Sequence, residues 1–117
     1  MILTWQQIPS PIISEILAGT NCDGVVLDTE HGVFNNETLV ACIQAVTLSG
    51  KKCFVRLPEE TVTMTRMCLD SGASGIIFST VETHAQAEKI INMCHYPSQK
   101  STGRRGMGLV RQNRWGQ

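Results

Sequence analysis

The 117-residue chain has no surplus charge of either sign: ten Lys and Arg offset ten Asp and Glu. Without net charge there is no long-range field to draw it to a nucleic-acid backbone or an acidic membrane surface, so neither is expected as a partner. It lacks any apolar run approaching the roughly 20 residues that cross a bilayer. Met1-Ile2-Leu3-Thr4-Trp5 lacks the basic lead of a secretory signal. None of the five cysteines (Cys22, Cys42, Cys53, Cys68, Cys94) forms Cys-x-x-Cys, and no Cys or His pair has zinc-ligand spacing. Their odd number, with four inside apolar stretches, fits reduced thiols in the cytoplasm rather than a disulfide framework. What is present is 42% hydrophobic and 17% charged, a composition for one folded domain with a single core.

The chain alternates β-rich runs with helical patterns. Ile2 to Gln6 reads as a first strand. Ser10-Pro11 then opens a helix with Ile12, Ile13, Ile16 and Leu17 on its apolar face, stopped by Gly19. Gly24 to Asp28 is a second strand, followed by a helix capped at Asn35 or Asn36, with Leu39, Val40, Ile43 and Val46 as its stripe and Gly50 as its end. Cys53 to Leu57, closed by Pro58, precedes a helix from Val62 to Leu69 that Gly72 stops. Ser74 to Ser79 is a fourth strand. Thr83-His84-Ala85-Gln86 has capping-box spacing ahead of a stripe of Ala87, Ile90, Ile91 and Cys94. Periodicity vanishes over 96–117, which is expected to be an irregular loop or tail.

Four βα units in succession imply an α/β fold with a parallel sheet and right-handed crossovers. Two architectures satisfy this: an open doubly wound sheet, or half of a (β/α)8 barrel, whose complete form takes about 250 residues.

Polar groups gather where the strands end. Asp28, Glu30 and His31 follow strand two, Arg56 lies inside the apolar run Phe54 to Leu57, and Ser79 and Thr80 follow strand four. Asp28 and His31 are close enough along a tight turn to hydrogen-bond, which would fix the imidazole tautomer and suit a general base. A guanidinium inside a strand needs an anion. That anion is either the carboxylate of Asp28 or Glu30, or a substrate carboxylate or enolate with His31 alongside, and both can hold. His84 at a helix start and His95 at a helix end read as structural or solvated positions. Gly103-Arg104-Arg105-Gly106-Met107-Gly108 lacks the strand–Gly-x-Gly-x-x-Gly–helix context of a nucleotide loop. Arg104, Arg105, Arg111 and Arg114, with Trp115, read as a solvated loop or an oligomer contact.

Trp5, Ser10-Pro11 and Glu15-Ile16, then Val26 to Gly32, Val55 to Pro58, Leu69 to Ala73, Tyr96-Pro97 and Gly103 to Gly106 follow one another in an order that resembles the HpcH/HpaI family of class II pyruvate aldolases. The resemblance covers nearly the whole chain and implies a TIM (β/α)8 barrel, here its N-terminal half with units in the order 1-2-3-4. It implies an aldolase, a carbon–carbon lyase, acting on 2-keto-4-hydroxy acids to give pyruvate or a similar 2-keto acid plus an aldehyde. His31 would then be the base, oriented by Asp28 and acting through a metal-bound water. Arg56 would stabilise the enolate, Trp5 and Arg56 would contact substrate, and Glu30 would border the metal–water network.

The resemblance also implies a divalent metal (Mg, Mn or Co), held in the family by a Glu after strand five and an Asp after strand six, for which this chain has no counterpart. Other departures are the missing helix ahead of strand one, Ser79-Thr80-Val81 where the family has Pro-Met-Val, and extra residues at 98–102. The expectation is therefore residues 1–117 as a partial barrel, inactive alone, which either self-associates as a homo-oligomer or is part of something longer. The alternative is a non-catalytic half-barrel remnant or oligomerising interaction module.

Overall fold

A computed structural model describes residues 1–117. Its elements are β1 (Leu3–Gln6), α1 (Pro11–Ala18), β2 (Gly24–Asp28), α2 (Asn36–Leu48), β3 (Lys52–Leu57), α3 (Val62–Asp70), β4 (Gly75–Phe78) and α4 (His84–Cys94). The four strands pair in parallel in the order β1-β2-β3-β4. A doubly wound sheet reorders its strands, so the sequence order here marks the wall of a (β/α) barrel. No helix is long and apolar enough to cross a membrane.

Local chemistry accounts for the boundaries. The Asn35 side chain accepts from the Thr38 N–H at 2.8 Å and starts α2. Thr83 and Gln86 form the reciprocal capping box that starts α4. Pro11 occupies the first turn of α1, although Ser10 makes no side-chain cap. Gly50 and Gly72, at φ 76° and 104°, take the left-handed conformation just beyond α2 and α3 that lets the chain leave the helix.

In-register residues of parallel strands share a face. Val25 and Leu27 of β2 with Cys53, Val55 and Leu57 of β3 meet Leu39, Cys42, Ile43 and Val46 of α2 and Cys68 of α3 in the core. The opposite face carries a layer of Trp5, Val26, Phe54 and Gly75, and beyond it a layer of Asp28, Arg56 and Ile77. Alternation thus sends apolar side chains to the helices and brings Asp28 and Arg56 side by side at the C-terminal rim.

Three expectations are corrected. In α1, Ile12 and Ile16 are exposed while Ser14 and Ala18 are buried. The buried polar cluster of Gln6 and Ser14, with Ser14 Oγ donating to Gln6 Oε1 at 2.8 Å, anchors the helix by the face opposite Ile12 and Ile16, while Ile13 and Leu17 are half-buried. In α4, Met93 is the buried residue and Ile91 is exposed. The 96–117 segment is not uniformly irregular: β5 (Pro97–Ser98) and β6 (Ser101–Thr102) pair as a small hairpin, and Arg111–Gly116 is a kinked pair of turns with Arg114 and Trp115 at positive φ. Nor is its arginine cluster uniformly solvated. Arg105 is buried, bonded to Asp70 at 2.7 Å and stacked 4.4 Å over the Tyr96 ring, and Arg111 donates to the Ser71 carbonyl.

Candidate active site

Asp28 ends β2 with a side chain shut off from solvent, and its two oxygens have separate tasks. Oδ2 accepts from the Trp5 indole N–H at 2.9 Å and the Gln7 amide at 3.1 Å, with an Arg56 guanidinium nitrogen at 3.5 Å. Oδ1 accepts the backbone N–H groups of Glu30 (3.0 Å) and His31 (3.2 Å). Burial alone would push this carboxyl up. Donation from Trp5, Gln7 and the two backbone N–H groups outweighs it and holds the carboxyl down at about 2, against an ordinary 3.8. Asp28 is therefore an ionised staple of the turn. The expected contact with the His31 imidazole is not the one formed, because the carboxylate meets His31 through the main chain.

Arg56, whose side chain is 24% exposed, lies between two carboxylates: Asp28 and, at 2.6 Å, Glu30. The Glu30 contact is an ion pair whose N–H is not aimed along a hydrogen bond. The guanidinium also sits 5.9 Å from the Trp5 ring centre, within reach of a cation–π attraction. Arg56 is thus paired with protein anions, as the first of the two sequence readings requires, and is still partly open to solvent. Thr29 ties the turn to β3 through its N–H (3.1 Å) and hydroxyl (2.6 Å), both donating to the Arg56 carbonyl. His31 is exposed on this rim.

Gly32 closes the turn, its N–H donating to the Asp28 carbonyl at 3.0 Å. A Cβ there would press on the Asp28 carbonyl oxygen and lie 2.6 Å from that of Gln7 and 2.8 Å from Phe34 Cε2. Two of these three neighbours are backbone and cannot swing away. Gly32→Ala is expected to cost about 1–3 kcal/mol and to loosen the Asp28 turn, readable as a lowered urea midpoint.

At the β4 exit, Ser79 donates its hydroxyl to the Leu57 carbonyl at 3.0 Å. Thr80 adopts φ 59°, a costly conformation for a β-branched residue. His84 is exposed beside Glu88, and His95 Nδ1 lies 2.9 Å from the Ile91 carbonyl oxygen, so both stay outside the cluster. Gln7 and Thr29 were not among the candidates. Strand alternation does carry a signal for Gln7, two positions after Trp5 on the Asp28 side. Burial pushes the thiols of Cys53 and Cys68 up to about 12, which keeps them protonated and excludes them as nucleophiles.

The donor set does not suit a resident metal ion. No three His, Cys, Asp or Glu side chains converge. Asp28 and Glu30, the rim carboxylates, already face Arg56 and the N–H donors around it. An ion at this rim would need ligands from outside residues 1–117.

A 4-hydroxy-2-oxovalerate aldolase of Novosphingobium aromaticivorans is 34% identical over 113 residues, which take in 96% of this chain and 42% of that protein. A hydroxypyruvate/pyruvate aldolase of Rhizorhabdus wittichii is 33% identical over 92 residues, 79% of this chain and 37% of its own length. Among solved structures, an HpcH/HpaI aldolase/citrate lyase family protein from Burkholderia cenocepacia superposes with a TM-score of 0.90 at 25% identity, over 97% of this chain and 46% of that one. The chain spans less than half the length of each of these proteins. The model of one family matches residues 1–111 and so takes in all four βα units and the whole strand-end cluster: the chain belongs to the HpcH/HpaI aldolase/citrate lyase family.

Proposed function

We propose that the β2–β3 rim is the base-and-anion portion of an aldolase site that splits 2-keto-4-hydroxy acids into pyruvate, or a similar 2-keto acid, and an aldehyde. The observation that carries this reading is Arg56, a partly open guanidinium fixed at a strand end beside the turn that bears His31. Proton removal from the 4-hydroxyl starts the cleavage, and the imidazole of His31 would accept that proton. As the C3–C4 bond breaks, its electron pair moves towards the C2 carbonyl and leaves negative charge on oxygen. Arg56 supplies N–H donors and positive charge for that oxygen. Proton return to C3 completes the 2-keto acid.

Asp28 and Glu30 hold the guanidinium, and Trp5 forms the apolar side of the substrate's berth. A divalent ion, the family's expected cofactor, would polarise the keto acid; its ligands lie outside this chain's residues, and so does the remainder of the site. The relatives' names, aldolases of 4-hydroxy-2-oxovalerate and of hydroxypyruvate and pyruvate, support the substrate class.

The test is coupled detection of pyruvate released from 4-hydroxy-2-oxo acids, with added manganese or cobalt, by residues 1–117 completed with the C-terminal barrel half of an HpcH/HpaI relative that supplies the metal ligands. Release that His31→Ala removes is expected. No release with any metal, or release that His31→Ala leaves intact, overturns the reading. The second reading, an interaction module without turnover, is favoured by the exposed Trp5 side chain and would stand in that event.

Arg56→Lys separates the two roles of the guanidinium. The ammonium keeps the charge between Asp28 and Glu30 but loses the planar fork. Folding stability is expected to change by less than about 1 kcal/mol, while turnover falls about 10²-fold. Parallel steady-state kinetics and thermal melts would show the split.

A further inference from the structure

We infer that Gln7 is a positioning residue of the rim: its side-chain amide fills the last acceptor position on Asp28 and so keeps the Arg56 guanidinium from closing onto that carboxylate. The N–H groups of Arg56 are thereby left for substrate. The inference rests on the proposed reading of Arg56 as the group that faces the developing negative charge.

An ionised carboxylate offers about four lone-pair positions, two on each oxygen. At Asp28 uncharged donors occupy all of them: the Trp5 indole (2.9 Å) and the Gln7 amide (3.1 Å) on Oδ2, and the Glu30 and His31 N–H groups on Oδ1. Arg56 arrives after these, its Nη1 standing 3.5 Å from Oδ2. An unobstructed guanidinium–carboxylate pair closes to about 2.7–2.9 Å, commonly as a two-bond fork. The same side chain shows the contrast, because its other terminal nitrogen lies 2.6 Å from Glu30. Reach is not the obstacle, since the sheet register sets Asp28 directly opposite Arg56. The occupied lone pairs are.

Gln7 is the one of these donors with no other task. Two belong to the backbone of the turn, and Trp5 walls the substrate's berth. The Gln7 side chain is exposed, and its one hydrogen bond runs to Asp28. An ionised carboxylate can only accept, so the amide must present its NH2 there.

Gln6 sets Gln7 in place. Its Nε2 donates to the carbonyls of Ile8 (2.7 Å) and Ser10 (3.1 Å), while Ser14 donates to its Oε1, pinning the chain just beyond Gln7 against α1. Strand alternation sends Gln6 to the helix side and Gln7, like Trp5, to the Asp28 side. Gly32 lies against the Gln7 carbonyl, so the loop after β1 and the Asp28 turn are in direct contact.

Without the amide, Arg56 moves into the opened position on Oδ2 and its N–H groups leave the oxygen they would meet by roughly 0.7 Å. Gln7→Met keeps the length of the side chain and removes the donor. In residues 1–117 completed with the C-terminal barrel half of a relative, it is expected to lower kcat/KM for pyruvate release by about 10–10²-fold, mostly in kcat.

Crystal structures of that protein and its Gln7→Met variant read the Arg56–Asp28 separation independently of turnover. Shortening from 3.5 Å to about 2.8 Å is expected. A purely supporting role for Gln7 would lower the melting temperature and leave that separation unchanged. Gln7→Ala takes the place of Gln7→Met should the latter not fold. A separation that does not shorten, or a rate within about twofold of native beside a shortened pair, overturns the inference. A completed native barrel that releases no pyruvate overturns the reading of the site instead, and the separation alone then decides whether Gln7 holds Arg56 off Asp28.

Discussion

Asp28→Asn is expected to lower folding stability by about 1–3 kcal/mol, the cost of leaving buried donors without the acceptor they surround. The change is nearly isosteric, so volume is not the cause. Every group around the carboxylate is a donor: the Trp5 indole, the Gln7 amide and Arg56 on Oδ2, and the Glu30 and His31 N–H groups on Oδ1. An asparagine must aim its NH2 at one of these sets whichever way it is turned. Either orientation opposes donor to donor in a place without solvent, and it also removes the negative charge beside Arg56.

The same site gives a pH signature. The Asp28 carboxyl is held at about 2 in the folded chain against an ordinary 3.8. A carboxyl lowered on folding contributes stability that is complete above its unfolded value and is lost as pH falls through the folded one. The contribution is about 2 kcal/mol, disappearing between about pH 5 and pH 2. Urea unfolding across that window is expected to show the loss in the native chain and a flatter dependence in Asp28→Asn. Equal acid dependence in the two proteins would remove Asp28 from the role of ionised staple.

His31→Ala is expected to do the reverse, lowering pyruvate release by the completed barrel by about 10²–10⁴-fold, the usual contribution of a positioned general base. Its stability is expected to stay within about 0.5 kcal/mol of the native chain. The distinction follows from the contact actually made. Asp28 grips His31 by its backbone N–H, and an alanine retains that group. The turn therefore keeps its shape when the imidazole is gone. Comparing kcat with the melting temperature checks both halves. A variant turning over within about tenfold of the native rate would remove His31 from the base role.

The relation between these two residues shows how far the sequence could be read. Val26 to Gly32 identifies a strand that delivers carboxylates and an imidazole at its end, and Arg56 within Phe54 to Leu57 marks a charge that needs an anion. The sheet register sets Asp28 opposite Arg56 and fulfils that second demand. Spacing alone could not say which part of His31 the carboxylate meets, since both ring and backbone lie within reach of a tight turn. Trp5 could be singled out, but the indole bond to Asp28 depends on β1 lying beside β2, a contact across 23 residues. Arg105 shows the limit from the other side. A Gly-Arg-Arg-Gly segment gives no hint of burial until Asp70 and Tyr96 are brought to it.

By itself the sequence determined the succession of four βα units, the caps at Asn35 and Thr83, and the strand-end placement of Asp28, Glu30, His31 and Arg56. These depend on periodicity and on side chains a few residues apart, which any stretch of chain carries within itself. The tertiary structure alone decided that Asp28 is held by Trp5 and Gln7 and grips His31 by the main chain. It also decided that Ile12, Ile16 and Ile91 face outwards. Each of these is a meeting, or a failure to meet, between segments far apart in the chain. An apolar or charged residue states that it needs a partner, and only the packed fold determines which partner it receives.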